Sequence, residues 1–120
     1  PKIFYVNWFR KDDDGGFVWP GFGENARVLE WVFERCAGRA DVIDTPIGRL
    51  PTLDGINFTN LNLSDDAIST LLKVDVEGWL AEIPLIEAYY QSFGEKVPGA
   101  LWEQLQDLKQ RLLASGEQGA

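Results

Sequence analysis

The spacing of apolar positions changes along the chain, and each change predicts an element. Lys2 to Phe9 alternates bulky side chains, with Ile3, Tyr5, Asn7 and Phe9 on one side of an extended backbone and Phe4, Val6 and Trp8 on the other. Its β-branched and aromatic content predicts a strand covered on both faces. Asp14-Gly15-Gly16 is a turn signal, so Phe17-Val18-Trp19 is expected to return as the second strand of a short hairpin. After the Pro20–Gly23 bend, Val28, Leu29, Val32, Phe33 and Cys36 recur at helical spacing, with Asn25 as expected N-cap and Gly38 as the stop. That stripe predicts a core-facing helix with Cys36 packed inside it. Pro46, Gly48, Pro51 and Gly55 break the next stretch into an extended connector. Ser64 caps a short helix. Asp75 starts a longer one carrying Trp79, Leu80, Ile83, Ile86, Tyr90 and Phe93, with a kink expected at Pro84. Pro98 opens a last helix whose Leu101, Leu105, Leu108 and Leu112 form a seam against its predecessor, with Ser115 to Ala120 as a frayed end. The fold class is α+β, a short β-hairpin with three to four helices. Its segments are a hairpin and turn over 1–25, a helix over 26–37, a connector over 38–63 and helices over 64–114.

Composition narrows the chemistry. The formal charge is −8, from 19 acids against 11 bases, and Lys and Arg do not cluster. A chain that binds the phosphate backbone needs such a cluster, so nucleic acid is excluded as an expected partner. No apolar run approaches membrane-spanning length, so no membrane partner is expected. One Cys and no His leave neither a disulfide nor a structural zinc site, and no base for a Ser or Cys nucleophile. Asp12-Asp13-Asp14 lacks the alternating ligands of a calcium loop and reads as a solvated turn. The chain starts at Pro1 and contains no Met, which suggests a piece of a longer protein.

What remains is aromatic. Trp8, Phe9, Phe17, Trp19, Phe22 and Trp31 crowd the stretch from Asn7 to Trp31, around a glycine-rich bend that opens onto a helix. Such a cluster packs a core or stacks on a flat ring. Stacking on a base contributes roughly 1–3 kcal/mol per contact. It does not distinguish purines, whereas the Asn25 amide and the backbone of the Phe22–Glu24 turn could read a base edge.

The same residues carry a resemblance. Asn7-Trp8-Phe9-Arg10-Lys11-Asp12, Phe17, Trp19-Pro20-Gly21-Phe22-Gly23-Glu24-Asn25 and Arg27-Val28-Leu29, with Thr45-Pro46-Ile47-Gly48 downstream, resemble the C-terminal part of GTP-dependent phosphoenolpyruvate carboxykinase. The match is strongest over residues 2–51. The resemblance implies a fragment of a larger α/β nucleotide-binding domain and a cytoplasmic, gluconeogenic enzyme. That family converts oxaloacetate and GTP to phosphoenolpyruvate, carbon dioxide and GDP with manganese or magnesium. It implies that Phe9 and Phe22 sandwich guanine, that Phe17 completes the aromatic wall and that Asn25 reads the base edge. Gly23 and Glu24 would shape the turn, with Trp19, Pro20 and Gly21 structural. The family's phosphate loop, metal ligands, catalytic Lys and Arg residues and lid would lie upstream of Pro1. The isolated chain is therefore expected to be inactive and weak in nucleotide binding. It is also expected to self-associate through surface that the remainder of the carboxykinase chain would cover. The alternative reading is a free-standing module whose aromatic surface docks a protein.

Overall fold

Four α-helices, one two-stranded sheet and two single-turn 3₁₀ helices make up the regular structure among residues 1–118, the part that the computed structural model describes. The helices are α1 (Asn25–Cys36), α2 (Asp65–Leu72), α3 (Val76–Gln91) and α4 (Gly99–Gln118), and the strands are β1 (Val42–Thr45) and β2 (Gly48–Pro51). The chain divides into two compact units. One comprises Pro1–Asp44 with Arg49–Lys73, the other Thr45–Gly48 with the residues from Val74 onward.

In the first unit the strand expected over Lys2–Phe9 does not form. A strand needs a neighbour for its backbone hydrogen bonds, and among the described residues none pairs with this segment. It ends in a turn at Trp8 and Phe9 and uses alternate side chains to hold helix and turn. Phe4 meets Trp31 of α1 edge-on at 5.9 Å, and Trp8 meets Trp19 at 6.1 Å. Lys2 Nζ donates to the carbonyls of Arg35 and Cys36 at the C-terminal end of α1, where a cation is favoured. The other side is uncovered, with Ile3 and Tyr5 about nine-tenths exposed. The expected hairpin shrinks to a single antiparallel bridge, Lys11 to Phe17, closed by a bond from Val18 N to Arg10 O. Asp12 Oδ1 accepts from the amides of Asp14 and Gly16, so this acidic run is a self-bonded turn.

The helix α1 buries Trp31 alone, and Leu29, Phe33 and Cys36 face outward. The packed Cys36 and the covered stripe are therefore corrected: helical spacing created an apolar face, and the described residues supply nothing to cover it. The stop is as expected. Gly38, at φ +77°, donates to Arg35 O while Arg39 N donates to Glu34 O, the paired bonds of a Schellman ending. The Arg39 side chain returns to grip both oxygens of the Glu34 carboxylate at 2.6 and 2.9 Å. Those hydrogen bonds, helped by the Arg39 charge, lower the Glu34 pKa. A carboxyl lowered on folding contributes stability above the ordinary glutamate range and loses it as pH falls through the folded value. Arg39→Ala should therefore raise the Glu34 titration midpoint toward the ordinary value, followed by carbon-detected NMR of the carboxyl. An unmoved midpoint would dissociate the two residues.

The sheet lies in the stretch expected to be an irregular connector. Two residues, Pro46 and Ile47, join β1 to β2, and so short a link permits only antiparallel pairing. Downstream, Ser64 Oγ accepts from Ala67 N to start α2 as expected. Arg10 Nη1 donates to Lys73 O at 2.7 Å, occupying a carbonyl at the end of α2.

The second unit is a helical hairpin. Asp75 caps α3 by accepting from Gly78 N, and α3 continues through Pro84. Ile83, Leu105 and Leu112 form its buried centre, joined by Trp79, Leu80, Ile86, Tyr90, Trp102 and Leu108. Tyr90 meets Trp102 edge-on at 5.3 Å near the connection, while Val76 lies beside Gly116 at the far end, so α3 and α4 run antiparallel. The seam corrects one residue: Leu101 is 44% exposed and Trp102 takes its place. Ile47 packs on this centre, and Arg111 Nε donates to Pro46 O. The helix α4 continues to Gln118, past the expected fraying at Ser115, and Gly119 and Ala120 lie outside the described residues.

Candidate functional site

The aromatic stretch does not collapse into a core. Only Val18 and Trp19 of the bend are buried. Phe9 and Phe17 are 69% and 60% exposed and meet edge-to-face at 5.9 Å across the Lys11–Phe17 bridge, with Lys11 Nζ 5.7 Å from the Phe17 centroid. Phe22 is 92% exposed and forms no ring pair among the described residues. The structure thus joins Phe9 to Phe17 and leaves Phe22 free of both.

Phe22, Gly23 and Glu24 form one 3₁₀ turn leading directly into α1. It starts at Gly21, whose φ of +116° and ψ of −172° belong to a region open essentially to glycine. Gly23 is different. Its φ is not positive, and an added Cβ would meet no atom within 4 Å. Neither backbone conformation nor packing within the chain requires a glycine there.

Asn25 is not the N-cap. Glu24 holds that position without a side-chain cap, and Asn25 is the first residue of α1 because the 3₁₀ turn winds straight into the helix. The amide side chain serves a different contact: Trp19 Nε1 donates to Asn25 Oδ1 at 2.8 Å. Glu24 is likewise engaged. Its Oε2 accepts from Arg27 Nε at 2.6 Å, and Arg27 Nη1 continues to Asn57 O at 2.7 Å. Both links escaped the sequence reading. The three-residue spacing of Glu24 and Arg27 was the available signal for one, and an indole N–H six residues before an amide for the other.

A cavity of about 440 Å³ opens elsewhere in the same unit, between α1 and residues 53–59, with Arg27, Trp31, Glu34, Leu53 and Phe58 among its walls. None of Phe9, Phe17, Phe22, Gly23, Glu24 or Asn25 lines it. The indole nitrogen of Trp31 is sealed and unpartnered, so it presents no donor to the cavity's open space. Among the described residues no group of three or more His, Cys, Asp or Glu is arranged to hold a metal ion. No helix among them is long and apolar enough to cross a membrane.

The chain is of the α+β class with an open aromatic bend at a helix start, and comparison with known proteins identifies its family. Residues 1–111 match the family model described as the phosphoenolpyruvate carboxykinase C-terminal P-loop domain, and the chain belongs to that family. Among its relatives, the phosphoenolpyruvate carboxykinase [GTP] of Chlamydia muridarum is 51% identical over 113 residues, covering 93% of this chain and 19% of the relative. The protein of the same name from Renibacterium salmoninarum is 48% identical over 112 residues, covering 93% and 18%. That from Treponema pallidum is 46% identical over 121 residues, covering 100% and 19%. The chain thus spans less than a fifth of the length of these enzymes.

Proposed function

We propose that the bend from Phe9 to Asn25 holds the guanine of GTP and GDP within a phosphoenolpyruvate carboxykinase. The whole protein would convert oxaloacetate and GTP to phosphoenolpyruvate, carbon dioxide and GDP. The observation that carries the reading is the exposure of Phe9, Phe17 and Phe22 in a chain whose relatives are named for GTP. Exposed phenyl rings are unfavourable in water, and a base inserted between two of them relieves both. Such an insertion requires the flanking rings to stand about 7–8 Å apart, twice the optimal carbon separation, which is compatible with Phe22 pairing directly with neither Phe9 nor Phe17. Gly23 supports the same reading, since bare backbone that the chain itself does not need leaves room for a ligand's close approach. Glu24, tied to Arg27, shapes the turn rather than offering a free carboxylate.

The phosphate, metal and catalytic groups of the reaction fall to the remainder of the carboxykinase chain, in the cytoplasm. This chain alone would neither decarboxylate nor transfer phosphate. Titration of the complete protein with GDP and ADP tests the base assignment. GDP should bind more tightly, and equal affinities for the two would remove guanine recognition from this bend.

The remainder of the carboxykinase chain is also the proposed cover for the exposed Ile3, Tyr5, Leu29 and Phe33. In isolation the 120-residue chain should self-associate through that surface. Light scattering should show mass rising with concentration, and a strict monomer at high concentration would refute the association.

A further inference from the structure

We propose that Trp19 is a positioning residue for base selection, holding the Asn25 amide so that its NH₂ group is the end left free to meet the purine. This rests on the guanine reading above and goes beyond it by naming what sets the amide's orientation and which atom of the base it selects.

An indole N–H only donates, whereas a side-chain amide has a donor end and an acceptor end. The 2.8 Å contact from Trp19 Nε1 therefore fixes which end is which: the oxygen faces the indole and the nitrogen does not. A flipped amide would set two donors against each other and leave a buried N–H unsatisfied. Neither partner is free to drift. Trp19 is 6% exposed and flanked by the Trp8 ring, while the Asn25 backbone N–H is held by Phe22 O at the end of the 3₁₀ turn. Among the described residues Asn25 Nδ2 has no hydrogen-bond partner.

A free, fixed donor discriminates at position 6 of a purine. Guanine and hypoxanthine carry a carbonyl oxygen there and accept the bond. Adenine presents an amino group, donor against donor, and 2-aminopurine presents nothing. A freely rotating amide would turn its oxygen to adenine and lose this selectivity, so the preference resides in the Trp19–Asn25 pair rather than in Asn25 alone.

The test uses calorimetric titration of the complete protein with GDP, IDP, ADP and 2-aminopurine riboside diphosphate, for the unaltered protein, Trp19→Phe and Asn25→Ala. Trp19→Phe keeps the ring and removes only the N–H. It should reduce the GDP-over-ADP preference about three- to tenfold, the discrimination that one ordinary hydrogen bond supplies, mainly by strengthening ADP. Loss of packing alone would weaken both nucleotides together and leave the ratio unchanged. Loss of preference in Asn25→Ala with full preference in Trp19→Phe would overturn the positioning role and leave the guanine reading intact. Preference retained in both variants would overturn Asn25 as the reader of the base. Should Trp19→Phe fail to fold, the unaltered protein still decides. IDP should rank with GDP and 2-aminopurine riboside diphosphate with ADP, and the Trp19 indole proton should exchange slowly with solvent. A reversed ranking or a fast-exchanging indole proton would overturn the proposal.

Discussion

Phe22→Ala should weaken GDP binding to the complete protein by about 5- to 150-fold, the effect of losing one aromatic stacking surface worth roughly 1–3 kcal/mol. It should do so without unfolding anything. Phe22 is 92% exposed and has no ring partner among the described residues, so truncation leaves no cavity and breaks no packing. Stability is expected to stay within about 0.5 kcal/mol, as for surface substitutions generally. Phe9 and Phe17 are less clean probes. They touch each other edge-to-face, an arrangement worth about 0.5–1.5 kcal/mol, so removing either disturbs the other. Calorimetry for GDP alongside thermal denaturation separates the two effects. Binding weakened less than twofold would remove Phe22 from the nucleotide site, and a large loss of stability would return it to a structural role.

The second large effect belongs to the helical hairpin. Leu112 is fully buried at the centre formed with Ile83 and Leu105. Leu112→Ala should destabilise that unit by about 2–5 kcal/mol, combining lost transfer energy with the cavity left behind. Leu101, spaced on the same seam in the sequence, is 44% exposed, and Leu101→Ala should change stability by about 0.5 kcal/mol or less. Amide hydrogen exchange along α3 and α4 resolves the difference, since it reports local opening rather than the stability of the whole protein. Equal protection in the two variants would contradict the observed packing. The Leu112 variant should leave the GDP-over-ADP preference unchanged, because every proposed base contact belongs to the other unit.

Local chemistry made much of this legible from the residues alone. Ser64 and Asp75 start helices because their side-chain oxygens accept amides that the first turn leaves free. Gly38 ends α1 because the left-handed conformation there is open to glycine. The α3–α4 pairing follows from two apolar stripes and a short link. The caps and the helix stop depend on neighbours within a few residues, and the string from Trp19 to Asn25 marks the carboxykinase family for a related reason, that it is a contiguous motif.

Other outcomes depended on partners distant in sequence. Lys2–Phe9 has strand composition, but pairing requires a second backbone, and its neighbours here are a helix and a turn. The stripe through Leu29, Phe33 and Cys36 has the period of a buried face, yet period alone does not say whether anything covers it. The β1–β2 hairpin formed where Pro and Gly suggested only irregular chain, because a two-residue turn brought short extended segments together. Asn25 looked like a cap and a base reader. Only the fold showed its oxygen bonded to Trp19, since periodicity records which side chains share a face and not which end of an amide meets a donor.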